Sequence, residues 1–408
     1  MRPVYLLGGY QTDFSVHYTR SGKTLVDLFK DTVMGALTHT GIEASEVESA
    51  HVGNFIAELT NYQGHLGALF LEVDPAFDGL PTARHEAACA SGSVAALSGM
   101  AEIEAGRYDL VCVLGVEMER NIGGGELAKH LGVAAWQERE CHDVRFPWPK
   151  LFSDLADVYD GRYGLKREHL TAIGRKNFEN ARRNPNAQTR TWDISPESFS
   201  DSEEKNPRIE GHIRRQDCSQ VTDGGAAIFL ASEQFAREYA RRMGRNLDSL
   251  PRIKGWGHHT ARLAFRDKLE QAQGSPYVFP QVRATITDAL ERAGLADAYA
   301  LDAIETHDCF TPTEYMAIDH FGLTAPGENW KAIEEGVVNF EGAVPMNPSG
   351  GLIGVGHPVG ASGVRMMLDA AMQVSEMAGE YQVPGAKNVA TLNIGGSATT
   401  SVSFVVGV

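Results

Sequence analysis

Apolar positions recur along the chain with two periods. Residues 4–8 form a short apolar run that predicts a buried strand. Leu25, Leu28, Phe29, Val33 and Leu37 recur at helical spacing and predict an amphipathic helix over 25–39. A short strand is expected over 50–55. Residues 109–116 are apolar almost without a break, the pattern of a strand covered on both faces, and Cys112 inside them reads as core. Between these strands, Glu86-Ala87-Ala88-Cys89-Ala90-Ser91-Gly92-Ser93 leads into a small-residue helix that ends near Gly106. Its first-turn serines, Ser91 and Ser93, are expected to satisfy free backbone donors.

The texture changes from about 119 to 219. Gly123-Gly124-Gly125 opens a loop-rich stretch with Trp136, Phe146, Trp148 and Phe152, followed by an amphipathic helix near 169–183. A turn at 222–225 and a buried strand at 226–231 return to the earlier pattern. The last third repeats it, with a helix over 282–293 and strands over 303–306 and 389–394. Ala36-Leu37-Thr38-His39-Thr40-Gly41-Ile42 parallels Ala289-Leu290-Glu291-Arg292-Ala293-Gly294-Leu295, and Ala90-Ser91-Gly92 recurs as Ala361-Ser362-Gly363 at a second helix start. Duplication follows: two α/β halves whose small-residue helix starts face each other. The expected division is 1–120 plus 220–256 for the first half, 121–219 for an inserted loop domain, and 257–408 for the second half.

Charge narrows the partners. A net charge of -16 argues against nucleic acid or an anionic membrane. Residues 162–190 reverse the sign locally, with eight Lys or Arg against two acids, and suit either a solvated helix face or a phosphorylated ligand. The five cysteines are scattered, without zinc-site spacing, so a reducing compartment and no metal are expected. The chain enters a strand at once, without the long apolar run of a signal peptide or a membrane span, and a cytoplasmic location is expected.

The candidate chemistry centres on Cys89. A cysteine at a helix start feels the positive end of the helix dipole, which predicts a pKa below the free value of about 8.5. Three segments are expected to converge on it. Gly356-His357-Pro358 offers a histidine that takes the thiol proton. His307-Asp308-Cys309-Phe310 follows a strand end, where open α/β sheets bind ligands. Asn393-Ile394-Gly395-Gly396-Ser397 offers backbone N–H groups to an oxyanion.

In that order, and with duplicated halves around a loop domain, these segments resemble the thiolase family over essentially the whole chain. His307-Asp308-Cys309-Phe310 is similar to the sterol-carrier-protein-type branch, where most thiolases carry Asn-Glu-Ala-Phe. Most also carry a cysteine where this chain has Asn393, so the second thiol has moved to Cys309. The branch's lipid-carrier domain is expected to be absent. The resemblance implies an α/β thiolase-like fold, two βαβαβαββ halves packed in five αβαβα layers. It implies a CoA-dependent acyltransferase of lipid or fatty-acid metabolism that cleaves 3-oxoacyl-CoA or condenses acyl-CoAs, with no covalently bound cofactor. Cys89 is then the nucleophile, His357 its base and Cys309 the acid/base at Cα. His307 and His357 hold the enolate oxygen, and the N–H groups of Cys89 and Gly395 form the oxyanion hole. Arg175, Lys176, Arg182 and Arg183 stand as CoA-phosphate ligands, and a homodimer or homotetramer is expected. A retro-aldol lyase acting on CoA-ester side chains and a non-catalytic acyl-CoA-binding subunit are the competing readings.

Overall fold

The computed structural model describes residues 2–408. Eleven strands are β1 Val4–Gln11, β2 Ser49–Gly53, β3 Thr82–His85, β4 Leu110–Glu117, β5 Arg208–Glu210, β6 Ile213–Arg214, β7 Gly224–Ser232, β8 Arg252–Thr260, β9 Ala303–Thr306, β10 Asn388–Gly395 and β11 Thr400–Gly407. All but the β5–β6 hairpin join one mixed sheet in the order β3-β2-β4-β7-β1-β8-β11-β10-β9. The helices that matter here are α1 Leu25–Thr40, α2 Ser91–Glu104, α3 Pro147–Tyr163, α4 Arg167–Ala181, α5 Pro280–Ala293, α6 Thr311–Phe321, α7 Gly351–Val355 and α8 Ser362–Val374.

The duplication read from short letter matches is a duplication of topology. In the first half β2 runs parallel to β3 and β4, and β7 lies antiparallel between β4 and β1. In the second half β9 runs parallel to β10, and β11 lies antiparallel between β10 and β8. The counterpart of β3 has shrunk to one parallel bridge, Ile304 to Met346. Both α1 and α5 end on a left-handed glycine, Gly41 at φ 66° and Gly294 at φ 73°, so the matched letters mark the same helix stop.

Register explains the unbroken apolar runs. Along β4, Val111 and Val113 face one core while Leu110, Cys112, Leu114 and Val116 face another. Both faces of the strand are covered, so neither parity is free to be polar. The inner core holds Val4, Leu6, Ala95, Ile228, Val364, Met367, Val402 and Phe404, from both halves and from α2 and α8. Helix α8 touches α2, strands β1, β4 and β7 of one half, and β9, β10 and β11 of the other. With α1 and α5 on the outer faces, this is the expected five-layer αβαβα stack.

The halves meet edge to edge where Tyr5 pairs with Arg252 and Leu6 N–H donates to Pro251 O at 2.8 Å. Strand β8 begins at Arg252 and pairs with β11, so the expected division between residues 256 and 257 cuts through a strand of the second half. The turn expected at 222–225 is also shorter, since Gly224 and Gly225 already lie in β7. The helix expected near 169–183 is α4, and it packs on α6 and α7. The insertion thereby buttresses the loop that leads to His357.

The starts of α2 and α8 face each other at contact distance. A Cβ on Gly363 would stand 2.3 Å from Ser93 Oγ and 2.4 Å from Asn393 Oδ1. One on Gly92 would stand 2.6 Å from Gly360 O. Gly363→Ala is therefore expected to cost about 1–3 kcal/mol of stability through overpacking. Denaturant titration reads it, and an unchanged midpoint would show that the two helix starts have room to part.

Candidate active site

Cys89 sits at the end of a tight loop after β3. Ala88 adopts a left-handed backbone (φ 51°), and the Ser91 hydroxyl accepts from Ala87 N–H at 2.9 Å and donates to Ala88 O. Ser91 thus ties the loop rather than capping helix donors, and Ser93 donates to Asn393 Oδ1 at 2.9 Å. Both differ from the capping role expected of them. A β-turn-like N–H to O contact from Ala90 to Ala87 closes the loop, leaving Cys89 half-buried against the cavity.

Three chain segments bring their side chains to this sulfur. Cys89 Sγ and ring nitrogens of His307 and His357 all lie within 4.8 Å of one another. The two imidazole rings are edge to face, with centroids 5.3 Å apart. Cys309 follows His307 at the end of β9 and lines the same cavity as Cys89 and His357. That cavity is about 240 Å³, and its walls include Phe55, Leu127, Trp148, Phe152, Phe310 and Val359. Of the four loop-domain aromatics, Phe146, Trp148 and Phe152 line it. Trp136 instead stands at the surface under the Arg139 guanidinium, 4.6 Å from its ring centre.

The hydrogen-bond network assigns opposite tautomers to the two histidines. Ser362 Oγ donates to Pro358 O at 3.0 Å, so at 2.7 Å from His357 Nδ1 it accepts that ring's proton. His357 Nε2 then carries a bare lone pair, and no protein group meets it. Asn393 Oδ1 is taken by Ser93, so its amide N–H₂ faces His307 Nδ1 at 3.3 Å. His307 Nε2 then carries the proton and is likewise without a partner. Beside the Cys89 sulfur, one ring is an acceptor and the other a donor. Burial holds both neutral: His357 is lowered to about 3 by burial and then by Arg365, and His307 well below the imidazole range by burial, then His357 and Arg365.

These supports were not marked out by sequence reasoning. The sequence signal for Ser362 was the repeated Ala-Ser-Gly, which pointed to a helix start and not to His357. Thr222 Oγ1 accepts from His357 N–H at 2.9 Å. Asp308 accepts from Leu352 and Ile353 N–H at the start of α7 and from Asn177, fixing the segment before His357. Glu117 accepts from the backbone of Phe55, Ile56 and Gly360 and so ties the far side of the same loop to β4.

Asn393→Asp tests the tautomer assignment. A carboxylate there would accept from His307 Nδ1 and move the proton off Nε2, removing a donor from the site. Turnover is expected to fall about 10²–10³-fold, the usual cost of one such donor. Equal activity in the two forms would leave His307 outside the chemistry.

Two expectations are corrected, for Cys89 and for Lys176. Cys89 is not a preformed thiolate: burial, with the Glu119 carboxyl next in effect, pushes its thiol up to about 12. The helix begins two residues later, and the apolar cavity outweighs its dipole. Glu119 is itself held protonated by burial, Glu117 and Asp223, which leaves burial as the operative cause. The backbone groups that lower the Cys89 thiol are the Gly396 and Cys89 N–H, while Gly395 closes β10 in register with Thr400. Gly396 (φ 64°) begins the turn and lines the cavity. Lys176 is not a free cation: it is buried, ion-paired with Glu314 and donates to Met346 O at 2.8 Å. Arg175, Arg182 and Arg183 stay at or near the surface, outside the cavity lining, with Arg183 stacked 4.1 Å from the Phe340 ring centre.

Comparison with known proteins fits this arrangement. Residues 4–234 match the thiolase N-terminal domain, and residues 266–408 match the thiolase C-terminal domain-like family. The chain belongs to the thiolase family. It is 31% identical to an acetyl-CoA acetyltransferase of Methanothermobacter thermautotrophicus, over 99% of both chains. It is 28% identical to sterol carrier protein 2 of Oryctolagus cuniculus, over 96% of this chain and 70% of that protein. Among solved structures, an Ltp2-ChsH2(DUF35) aldolase superposes with a TM-score of 0.78 at 18% identity, covering 99% of this chain and 97% of that one. Human mitochondrial 3-ketoacyl-CoA thiolase superposes with a TM-score of 0.69 at 18% identity, covering 100% and 99%. Family and relatives together support a thiolase-type, CoA-dependent acyltransferase. No helix among the described residues of this thiolase is long and apolar enough to cross a membrane.

Proposed function

We propose that this thiolase is an acetyl-CoA C-acyltransferase or C-acetyltransferase, cleaving 3-oxoacyl-CoA with CoA or running the reverse condensation through an acyl group on Cys89. The observation that carries the reading is the meeting of the Cys89 thiol with the His307 and His357 rings, their ring nitrogens and the sulfur within 4.8 Å of one another, with Nε2 of His357 unprotonated and Nε2 of His307 protonated. In cleavage, Cys89 Sγ bonds to the 3-keto carbon while its proton passes to His357 Nε2. A concerted transfer suits a thiol pushed up to about 12 beside a base that is neutral above about pH 3. The C2–C3 bond then breaks and its electrons form the acetyl-CoA enolate. His307 Nε2–H and the proton now on His357 stabilise that oxygen. Cys309 gives its proton to C2. The CoA thiol next gives its proton to the Cys309 thiolate and attacks the acyl-enzyme, and His357 returns its proton to the departing Cys89 sulfur. Gly396 N–H, with Cys89 N–H, meets the thioester oxyanion.

The test is incubation with radiolabelled acetyl-CoA followed by peptide mapping, with label expected on Cys89. Carbon–carbon cleavage without label would favour the retro-aldol lyase. Binding without either would favour the non-catalytic subunit. The likeness to an aldolase structure does not favour the lyase, since at 18% identity it speaks to the fold, which thiolases share.

Arg175, Arg182 and Arg183 remain the proposed ligands of the CoA phosphates in a dimeric or tetrameric enzyme of lipid metabolism acting in a reducing, cytoplasmic setting. Reversing Arg182 and Arg183 to glutamate is expected to raise KM for CoA esters about tenfold or more while leaving kcat near normal, with the effect shrinking in salt. An unchanged KM would assign both to a solvated helix face.

A further inference from the structure

Two residues that line the catalytic cavity carry a buried polar atom without a protein partner, His357 Nε2 and Glu119 Oε2. The first is taken up by the chemistry above. The second is not. Glu119 is 1% exposed, two residues past the end of β4, and lines the cavity beside Cys89 in a wall that is otherwise largely apolar. Its carboxyl receives one long hydrogen bond, 3.4 Å from Thr222 N–H to Oε1. Its backbone is fixed, because Glu119 and Arg120 N–H both donate to the buried Asp223 carboxylate. A carboxyl left unpaired in such a place weakens the fold unless something enters to pair with it.

We propose that Glu119 is a specificity residue, a hydrogen-bond donor to an oxygen on the acyl chain beyond the carbons that react, so that the preferred substrates are hydroxylated or otherwise oxygenated acyl-CoAs. The proposal rests on the acyl-CoA reading of the cavity and narrows it. The chemistry of the donor agrees. Burial, Glu117 and Asp223 all push the Glu119 acid well above the carboxylate range, so it enters the site as a neutral O–H. A purely apolar chain would leave that O–H unpaired. An oxygen at matching depth would satisfy it, and sites built around such a bond discriminate strongly against the analogue lacking it.

Binding, rather than turnover, isolates this role. In the Cys89→Ala protein no acyl transfer occurs, and calorimetry compares hexanoyl-CoA with its 4-, 5- and 6-hydroxy forms. At least one hydroxylated chain is expected to bind about tenfold or more tightly than hexanoyl-CoA. Adding Glu119→Leu is expected to erase that preference and to hold hexanoyl-CoA at least as well. Glu119→Gln, which still donates, is expected to keep most of it. Glu119→Met serves where the leucine protein does not fold. Equal binding of all four chains to the Cys89→Ala protein would overturn the proposal with no further variant, as would a preference that survives Glu119→Leu. Failure of every chain to bind would overturn the acyl-CoA reading beneath it, an outcome distinct from binding without preference.

Discussion

Cys89→Ala is expected to remove acyl transfer by at least about 10⁴-fold, with no label taken up from acetyl-CoA. The size follows from what the sulfur does. It forms and breaks the bond to the acyl carbon, and it is the Cys89 sulfur that lies within 4.8 Å of ring nitrogens of both His307 and His357, while Cys112 is sealed in β4, Cys218 donates toward Arg214 O, and Cys309 packs against Thr313. His357→Ala is expected to cost nearly as much, because a thiol raised to about 12 is a poor nucleophile until its proton leaves. The double variant should be little worse than either single one, since residues acting as a unit are not additive. A His357→Ala protein that still acylates at a near-normal rate would show that the thiolate is preformed after all.

The architecture was legible because the forces that build it are local. A strand covered on both faces must be apolar at every position, and β4 and β7 read that way. A helix end at a left-handed glycine repeats as a letter match, which is why Gly41 and Gly294 betrayed the duplication. Boundaries were less legible. Strand β8 has exposed and half-buried positions such as Arg252, Lys254 and His259, so no apolar run announced it, and its pairing with β11 sets the start of the second half.

In the site, identities were legible and electrostatics were not. Cys89, His307, Cys309 and His357 meet as their motifs implied. The charge state of Cys89 depends on the cavity wall that buries it and on Gly396, which arrive from distant parts of the chain. A helix dipole argument made from residues 89–93 had no access to them. The pairing within the basic stretch was hidden in the same way: Lys176 counts toward a positive patch in the sequence, yet its partner Glu314 lies on α6. Arg167 and Arg190 are similarly matched by Asp217 and Asp13. The tautomers of the histidines are set by Ser362 and Asn393, residues with no chemistry of their own to draw attention.

Cys309→Ala is expected to separate the two half-reactions. Burial, and after it the neighbouring Cys89, holds the Cys309 thiol well above its ordinary value, so it stands loaded with a proton at neutral pH. Thr313 Oγ1, at 3.8 Å, and the Phe310 N–H act in the opposite direction but are outweighed by burial. A loaded thiol at the cavity wall suits the step in which the acetyl-CoA enolate must gain a proton at carbon. Asn393, where most thiolases carry their second thiol, is an amide already engaged by Ser93 and His307 and has no proton to exchange near neutral pH. Removing Cys309 is therefore expected to slow carbon–carbon cleavage and condensation by about 10²–10⁴-fold. Deuterium exchange at the methyl group of bound acetyl-CoA should fall with it. Acylation of Cys89 by acetyl-CoA makes no demand on that proton and should continue. Cys309→Ser, which keeps the shape but holds its proton more tightly, should recover little. If exchange at the methyl group persists in Cys309→Ala, the proton travels through His307, and Cys309 is a wall residue of the cavity.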